Sequence, residues 1–291
     1  MTHSGDFHAD EIFAVATLRM MLGDTPSETV RTRDPEVVVT GDYVVDVGGI
    51  YDRDKNRFDH HQEGRAGNHP NGIPYSSFGL VWEKFGEAVC GNKLIADQIM
   101  KDLVVPIDAN DNGVEIYESK IGGVSPFGIS RLMTIWRPSW HEHQQDFDVA
   151  FDKAVMFART ILERLIIQEQ GESQARERIE KIIAETADPR VIVLDAIYPW
   201  ERTIANHPEV LYTLRQQNET IWRIKSARKS IDRFESRKPL PSAWAGKRGE
   251  ELANITGVPG ALFCHNNRFI ATADSKEGIL KLAELALANE E

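Results

Sequence analysis

Histidine and aspartate side chains recur in four separate segments of the sequence, close to the ends of predicted strands or in the first turn before a helix. These residues are His3, His8, Asp10, Asp46, Asp59, His60, His61, Asp108 and Asp111. Imidazole and carboxylate ligands without thiolates suit Mn²⁺ or a related divalent ion better than Ca²⁺ or a structural zinc ion. The sequence therefore predicts a divalent metal centre.

This set of ligands is larger than one ion needs. A pair of ions roughly 3.5–4 Å apart, bridged by a carboxylate, would use all of them. Such a pair lowers the pKa of a shared water and neutralises charge on a phosphoryl oxygen. That chemistry is typical of phosphoester hydrolysis.

The frame that positions these residues has the pattern of an α/β fold. We expect an amphipathic helix over residues 10–22, strands over 37–40, 44–47 and 104–107, a helix capped by Ser76 and Ser77, and a helix over 93–105. Alternation of strands and helices predicts a parallel sheet between helix layers. Because sites in such sheets collect at the carboxyl ends of the strands, the four segments would meet in one crevice.

The second half of the sequence has a long helical pattern, which is followed by predicted strands. We expect one long helix, or a helix broken at Gly171, over 146–187, strands over 191–194, 210–217 and 221–226, a hairpin over 261–273, and a closing helix capped by Ser275. The prediction is a parallel-sheet metal-binding domain over 1–145, a helical connector over 146–188 and a smaller α+β domain over 189–291.

Composition excludes several classes of protein. The net charge of −11 disfavours binding to duplex DNA by bulk charge. No apolar run approaches the roughly 20 residues that span a bilayer. Two cysteines, Cys90 and Cys264, cannot make a disulfide framework, and titratable residues near the start do not fit a signal peptide. We therefore expect a cytoplasmic protein that does not enter the membrane.

Basic residues are concentrated between Arg215 and Arg248. This stretch has ten lysines and arginines against three acidic residues, a net charge of +7. The pattern leaves open whether it is a solvated surface or a docking surface for an anionic substrate. His69 and His207 each lie beside a proline and are interpreted as loop residues.

Several ordered motifs resemble a known superfamily. The segments are THSGDFHADE (2–11), VDVGG (45–49), FDHHQ (58–62), SSFGLV (76–81), DANDNG (108–113), PW (199–200), KPLP (238–241) and GVPG (257–260), with Trp244, Gly246 and Arg248. Together they resemble the DHH phosphoesterases, and more closely their Myg-type branch, the melanocyte proliferating gene family of 3′-5′ exoribonucleases and microbial relatives. The resemblance spans nearly the whole chain.

The resemblance implies a two-domain hydrolase that holds two divalent cations, Mn²⁺ or alternatively Mg²⁺, in its N-terminal domain. It assigns as ligands His3, His8, Asp10, Asp46 and His60, with Asp111 preferred to Asp108 for the fourth motif and that choice left open. Asp59 and His61 would form the catalytic part of the triplet, His61 orienting or protonating near the phosphate. The C-terminal domain would bind the phosphorylated substrate.

The leading hypothesis is a metal-dependent phosphodiesterase in which a metal-bound hydroxide attacks phosphorus, acting as a 3′-5′ exonuclease on short single-stranded RNA or oligonucleotides. The candidate substrate-binding residues are Arg223, Lys225, Arg228, Lys238, Trp244, Arg248 and His265, with Trp200 and Trp222 as further stacking candidates. Two alternatives stay open: a pyrophosphatase or small cyclic-nucleotide phosphoesterase, and a non-catalytic RNA-binding protein with a vestigial metal site. The sequence also leaves open whether the chain forms a homodimer.

Overall fold

The structure, a computed structural model that describes residues 1–143 and 146–290, divides within one long helix. The two units are Met1–Glu169 and Gln170–Glu291. Both contain helices and strands, so the expected mixed α/β class is confirmed.

The first unit is mostly helical. Its helices are α1 (Ala9–Leu22), α2 (Pro35–Val38), α3 (Ser77–Cys90), α4 (Lys93–Ile99), a π-helical turn (Met100–Val104), α5 (Val105–Asp111), α6 (Ile129–Thr134) and the first part of α7 (Phe147–Glu185). Its strands are β1 (Val44–Val45), β2 (Tyr51–Asp52) and β3 (Arg57–Phe58).

Helix α1 lies in the centre of this unit. All of residues 9–18 are buried, and α1 packs against α3. The expected helix is therefore confirmed, but its first turns are enclosed on every side instead of being amphipathic. Asp10 and Glu11 are consequently buried in its first turn, where the partial positive charge of the helix N-terminus favours carboxylates.

The expected parallel sheet is present in a very short form. Strand β1 pairs in parallel with β3. On the other side of β1, the amide of Val45 donates a 3.0 Å hydrogen bond to the carbonyl of Met1, and Thr2 bridges in parallel to Arg31. Three neighbouring extended segments thus end side by side, and the residues that follow them include His3, Asp46 and Asp59.

Two predicted strands are helical. Residues 35–38 form α2 because Asp34 accepts a 3.0 Å hydrogen bond from the amide of Glu36 and Pro35 suits the first helical position. The run 104–107 lies in the π-helical turn and α5. Pro106, which lacks an amide hydrogen, occupies the first turn of α5, directly after the π-helical turn.

The second unit is built on a five-stranded sheet. Its strands are β4 (Val191–Leu194), β5 (Tyr212–Asn218), β6 (Ile221–Ser226), β7 (Ala261–Cys264) and β8 (Ile270–Ala273). They lie in the order β4-β5-β6-β8-β7, and only the β4–β5 pair is parallel. Its helices are α8 (Glu201–Ile204), a 3₁₀ turn (Ser242–Trp244), α9 (Gly249–Thr256) and α10 (Lys276–Ala288). The predicted strands, hairpin and Ser275 cap are confirmed.

Helix α7 is continuous through Gly171, so the expectation of one long helix is correct and that of a broken helix is wrong. Its residues Phe151 and Leu162 belong to the core of the first unit, and Ile179 and Ile183 belong to a core of the second. Among the described residues, no helix is both long and apolar enough to cross a membrane.

Replacing Gly171 with alanine should stabilise the protein. Gly171 is exposed within α7, and an added Cβ would meet no atom within 4 Å. Alanine restricts the unfolded chain, so the free energy of unfolding should rise by about 1 kcal/mol. Calorimetry should show a melting temperature higher by about 2–4 °C.

The matched control is Gly257→Ala. Gly257 ends α9 with a left-handed φ of 67°, which a Cβ disfavours, so this variant should melt at a lower temperature. A lower melting temperature for Gly171→Ala would contradict the description of α7 as an unstrained continuous helix.

Candidate metal centre

A cavity of about 1070 Å³ in the first unit contains most of the predicted ligands. The titratable and basic residues that line it are His3, His8, Asp10, Arg33, Asp46, Asp59, His60, His61, Arg65, Asp111 and Arg131. Four distant segments of the chain therefore deliver imidazoles and carboxylates to one place, as the sequence predicts.

Asp46 lies between two sets of these ligands. Its Oδ2 is 3.2 Å from Nε2 of His3, and its Oδ1 is 3.4 Å from Nε2 of His60 and 3.4 Å from Nδ1 of His61. The backbone of Asp46 is left-handed, with φ of 56°, immediately after β1. One oxygen thus faces His3 and the other faces His60 and His61. A carboxylate in this arrangement is suited to bridge two cations.

The structure brings together three groups of potential ligand atoms. Within each group, the atoms lie within 4.8 Å of one another. They are His3, His8, Glu11 and Asp46; Asp46, His60 and His61; and Asp10, His60 and Asp111. The donor atoms are imidazole nitrogens and carboxylate oxygens, which fit Mn²⁺ or another transition-metal ion and also accommodate Mg²⁺ on the carboxylate-rich side.

His60 has the features of a metal ligand. Its buried Nε2 makes no hydrogen bond of acceptable geometry, although it lies 3.2 Å from Oδ2 of Asp111 and 3.9 Å from Oδ2 of Asp10. Burial lowers the pKa of His60, but the carboxylates of Asp111, Asp46 and Asp10 outweigh this effect and raise the pKa to about 10. A cation would replace the proton that these carboxylates attract.

His3 occupies the corresponding position in the other group. Its Nε2 is 2.9 Å from Oε1 of Glu11. Burial lowers the pKa of His3, but contacts with Asp46 and Glu11 prevail and raise it to about 10. Despite its burial, the pKa of Asp46 is held well below its usual range by contacts with His3 and His60.

The N-terminus of α3 holds Asp10. The hydroxyl of Ser76 donates to Oδ1 of Asp10 at 2.6 Å, and the amides of Ser77 and Phe78 donate to the same carboxylate. Ser76 is thus the residue before α3, as predicted, but its hydroxyl binds Asp10 instead of capping the helix. Burial and the nearby charges of Asp46 and Asp111 raise the pKa of Asp10.

Asp108 lies outside the three groups. Its Oδ1 lies 2.6 Å from the hydroxyl oxygen of Ser76 and accepts a hydrogen bond from the amide of Gly79, and its Oδ2 is 2.6 Å from Nε2 of His69. The structure thus brings Asp111, and not Asp108, to the other ligands. His69 lies in a loop, as predicted, and is also a buried partner of Asp108.

Asp59 orients His61. Its Oδ2 accepts a 2.6 Å hydrogen bond from the amide of Gly49, and its Oδ1 is 2.8 Å from Nδ1 of His61. The side chain of His61 is 63% exposed, so its other nitrogen is accessible from solvent. The hydrogen bond to Asp59 raises the pKa of His61 and favours its protonated form.

Some of the predicted substrate-binding residues share one face of the sheet in the second unit. Cross-strand pairing places one row of residues side by side across all five strands and the segment beyond them: Leu194, Arg215, Arg223, Thr272, Phe263 and Arg248. We call this the arginine row. Lys225 lies two residues from Arg223 on the same strand and therefore on the same face.

Like charges oppose each other in the arginine row. Arg215 and Arg223 are direct cross-strand partners, and Nε of Arg223 is buried without a hydrogen-bond partner. Burial and then the charge of Arg215 lower the pKa of Arg223. Like charges directly opposite are destabilising, which suits a face that binds an anion.

The other candidates lie in different environments. Lys238 donates to the carbonyls of Leu287 and Asn289 at the end of α10, and Trp244 is in the core of the second unit. Trp200 is also buried, beneath Nζ of Lys225. Both tryptophans are buried in the protein, so neither is available for stacking on a base.

Three further candidate positions are more accessible than those two tryptophans. Arg228 lies over the exposed ring of Phe234, and Trp222 is half-buried. His265 accepts a 3.0 Å hydrogen bond from the amide of Asn267 in the hairpin turn.

The sequence interpretation missed four residues that reach the cavity or its ligands. Glu11 resembles an ordinary acidic residue in the first turn of a helix. Arg33, Arg65 and Arg131 come from loops and from α6, where no local motif distinguishes them. Their basic charge beside a carboxylate-rich segment is the only signal that the sequence offers.

Comparison with known proteins gives a family match. The model of one family, MYG1_exonuc (Uncharacterised protein family UPF0160), matches residues 1–287. The chain is 31% identical to MYG1 exonuclease of Homo sapiens over 320 residues, which cover 99% of this chain and 85% of the human protein. It is 31% identical to a MYG1 protein of Schizosaccharomyces pombe over 98% of this chain and 96% of that one.

One solved structure is also similar in part. RecJ in complex with Mn²⁺ from Thermus thermophilus aligns over 100% of this chain and 52% of its own, with 13% identity and a TM-score of 0.28. A likeness of this size supports no argument about the site.

The metal-free protein should lose stability as the pH rises. The folded pKa of His60, about 10, lies above its ordinary value of 6.5. Its contribution is therefore fully present below about pH 6.5 and disappears as the pH rises through 10. In chelator, calorimetry from pH 6.5 to 10 should show a falling melting temperature.

His60→Asn isolates this contribution. The variant should have a flatter profile than the wild type, because its side chain has no proton to lose. Parallel profiles for the two proteins would contradict the raised pKa.

Proposed function

Because the chain belongs to the MYG1_exonuc family, we propose that it is a metal-dependent phosphodiesterase that acts as a 3′-5′ exonuclease on short single-stranded RNA or oligonucleotides. The observation that carries the proposal is the position of Asp46, whose two oxygens face two separate sets of ligands. The printed names of several relatives, MYG1 exonuclease, support a nuclease.

The residues present fit two divalent cations. His3, His8 and Asp46 would hold one, and Asp10, Asp46, His60 and Asp111 would hold the other. The unpartnered Nε2 of His60 supports this assignment. Bound ions of this kind supply an acidified water and neutralise charge on a phosphoryl oxygen. Mn²⁺ is the ion we propose.

His61 is the proposed proton donor to the oxygen that leaves phosphorus. Asp59 fixes the imidazole through Nδ1, and the amide of Gly49 fixes Asp59 in turn. The raised pKa of His61 favours the protonated imidazole. A protonated histidine beside a phosphate favours departure of the leaving group.

Phosphate binding within the cavity is assigned to its arginines. Arg33, Arg65 and Arg131 line the same cavity as the ligands. Guanidinium groups bind phosphate oxygens with two parallel hydrogen bonds, so these residues would hold the scissile phosphate or its neighbour.

The arginine row is proposed to bind further phosphates of a single strand. Its Arg215 and Arg223 repel each other, and an intervening anion would relieve that repulsion. The row is short and the whole chain has a net charge of −11, which favours a short strand over a duplex.

We also propose a cytosolic location. Cys90 and Cys264 are buried and unpaired among the described residues, and burial raises the pKa of Cys90 to about 12 and of Cys264 to about 11. Such thiols need no oxidising compartment.

The activity is tested with metal-stripped protein that is re-supplied with Mn²⁺. A 5′-labelled single-stranded RNA should shorten stepwise from its 3′ end, and chelator should stop the reaction. His60→Ala should lower the rate by at least about 100-fold, because it removes a ligand and not an outer contact. His207→Ala, a loop histidine outside the centre, is the matched control.

Inorganic pyrophosphate is assayed in parallel. Rapid phosphate release from pyrophosphate with no cleavage of RNA would refute the exonuclease proposal in favour of a small substrate. Hydrolysis of neither substrate by the Mn²⁺-loaded protein would refute a phosphodiesterase.

Arg223→Ala tests the arginine row. Loss of a charge-assisted hydrogen bond, worth about 1.5–3 kcal/mol, should raise the KM for an oligonucleotide by about 10- to 100-fold with little change in kcat. Arg176→Ala removes an exposed arginine of the same unit that is on α7 and not on the sheet, and should leave the KM unchanged. An unaltered KM in Arg223→Ala would remove the row from substrate binding.

A further inference from the structure

Glu11 is a fully buried carboxylate beside the metal centre. It lies in the first turn of α1, where its Oε1 accepts a 2.9 Å hydrogen bond from the backbone amide of His8 and lies 2.9 Å from Nε2 of His3. Its other oxygen, Oε2, is buried and has no hydrogen-bond partner among the described residues.

An ionised oxygen in this state is costly. Burial of a carboxylate without compensating hydrogen bonds opposes folding, so such groups are retained where another partner meets them. Nδ1 of His8 lies 3.8 Å from Oε2 and is too distant for a hydrogen bond. Helix capping uses only Oε1 and leaves Oε2 unexplained.

Potential cation ligands surround the carboxylate of Glu11. One atom each of Glu11, His3, His8 and Asp46 lies within 4.8 Å of the others. Glu11 is the single glutamate in the three groups of potential ligands found among the described residues. A cation bound by this carboxylate would give the unpartnered Oε2 a positive charge close by.

We propose that Glu11 is a direct ligand of the cation held by His3, His8 and Asp46. This inference rests on the metal centre of the proposed function and adds a residue to it. The helix position that makes Glu11 a capping residue through Oε1 leaves Oε2 free to bind the ion.

The assignment makes the two cation positions chemically different. The Glu11 group has two imidazoles and two carboxylates, whereas the group of Asp10, His60 and Asp111 has one imidazole and two carboxylates. Imidazole favours transition-metal ions and carboxylate favours Mg²⁺. The Glu11 position should therefore keep Mn²⁺ in the presence of excess Mg²⁺, while the other exchanges.

Glu11→Gln separates ligation from capping. Glutamine accepts the same hydrogen bond from the amide of His8, so the cap is preserved, but the charge that binds the cation is lost. The full-length, metal-stripped protein is titrated with Mn²⁺ by calorimetry. The wild type should bind two ions, and the variant should bind one of them at least about 10-fold more weakly.

Glu63→Gln is the matched control. Glu63 is exposed and follows the histidine triplet closely in sequence, so this variant loses the same charge without touching the centre. It should bind two ions as the wild type does. Two ions bound with unchanged affinities by Glu11→Gln would overturn the inference.

A second measurement needs no mutation. Wild-type protein with ¹³C-labelled glutamate is loaded with Mn²⁺ and studied by electron–nuclear double resonance. A carboxylate ¹³C coupling to manganese is expected, because Glu11 is the glutamate within reach. Full Mn²⁺ loading with no such coupling would overturn the inference even if Glu11→Gln failed to fold.

These outcomes are independent of the proposed activity. If the wild type binds two ions through Glu11 but cleaves neither RNA nor pyrophosphate, the proposed function fails and the ligand assignment stands. If RNA is cleaved and the ¹³C coupling is absent, the function stands and the assignment fails.

Discussion

Asp46 directs one carboxylate oxygen towards His3 and the other towards His60, so two sets of cation ligands converge on one side chain. This direction requires a left-handed backbone conformation, which aspartate tolerates better than most residues. Gly48 and Gly49, after the intervening Val47, continue the sharp turn at the end of β1. The amide of Gly49 donates a hydrogen bond to Asp59. Three histidines, His3, His60 and His61, lie within 3.4 Å of this carboxylate.

Concentrating carboxylates at this point has an electrostatic cost that the fold offsets locally. Helix α3 presents its N-terminal amides to Asp10, and Ser76 adds a hydroxyl. His3 and His60 provide positive charge in the metal-free protein, as their raised pKa values show. The centre therefore depends on two helix N-termini as well as on its ligands: α3 holds Asp10, and α1 contains Asp10 and Glu11.

The sequence allowed much of this arrangement to be predicted, because strong periodicity and caps define elements such as α1, α7 and α10. It failed where tertiary packing overrides local pattern: residues 35–38 are β-branched in part, yet Asp34 and Pro35 begin a helix. At the site, residue type identified the cluster, but the choice of Asp111 over Asp108 depends on hydrogen bonds from distant Ser76 and His69. Glu11 escaped detection because its role depends on which way α1 is buried.

The hydroxyl of Ser76 has a single hydrogen, yet its oxygen lies 2.6 Å from Oδ1 of Asp10 and 2.6 Å from Oδ1 of Asp108. It can donate to only one of them, so the other contact requires a proton on a carboxyl group. Burial raises the pKa of Asp108, which favours a proton on this carboxyl group. A proton placed there would link the charge of Asp108, which His69 contacts through its other oxygen, to the charge of Asp10 through one shared hydroxyl.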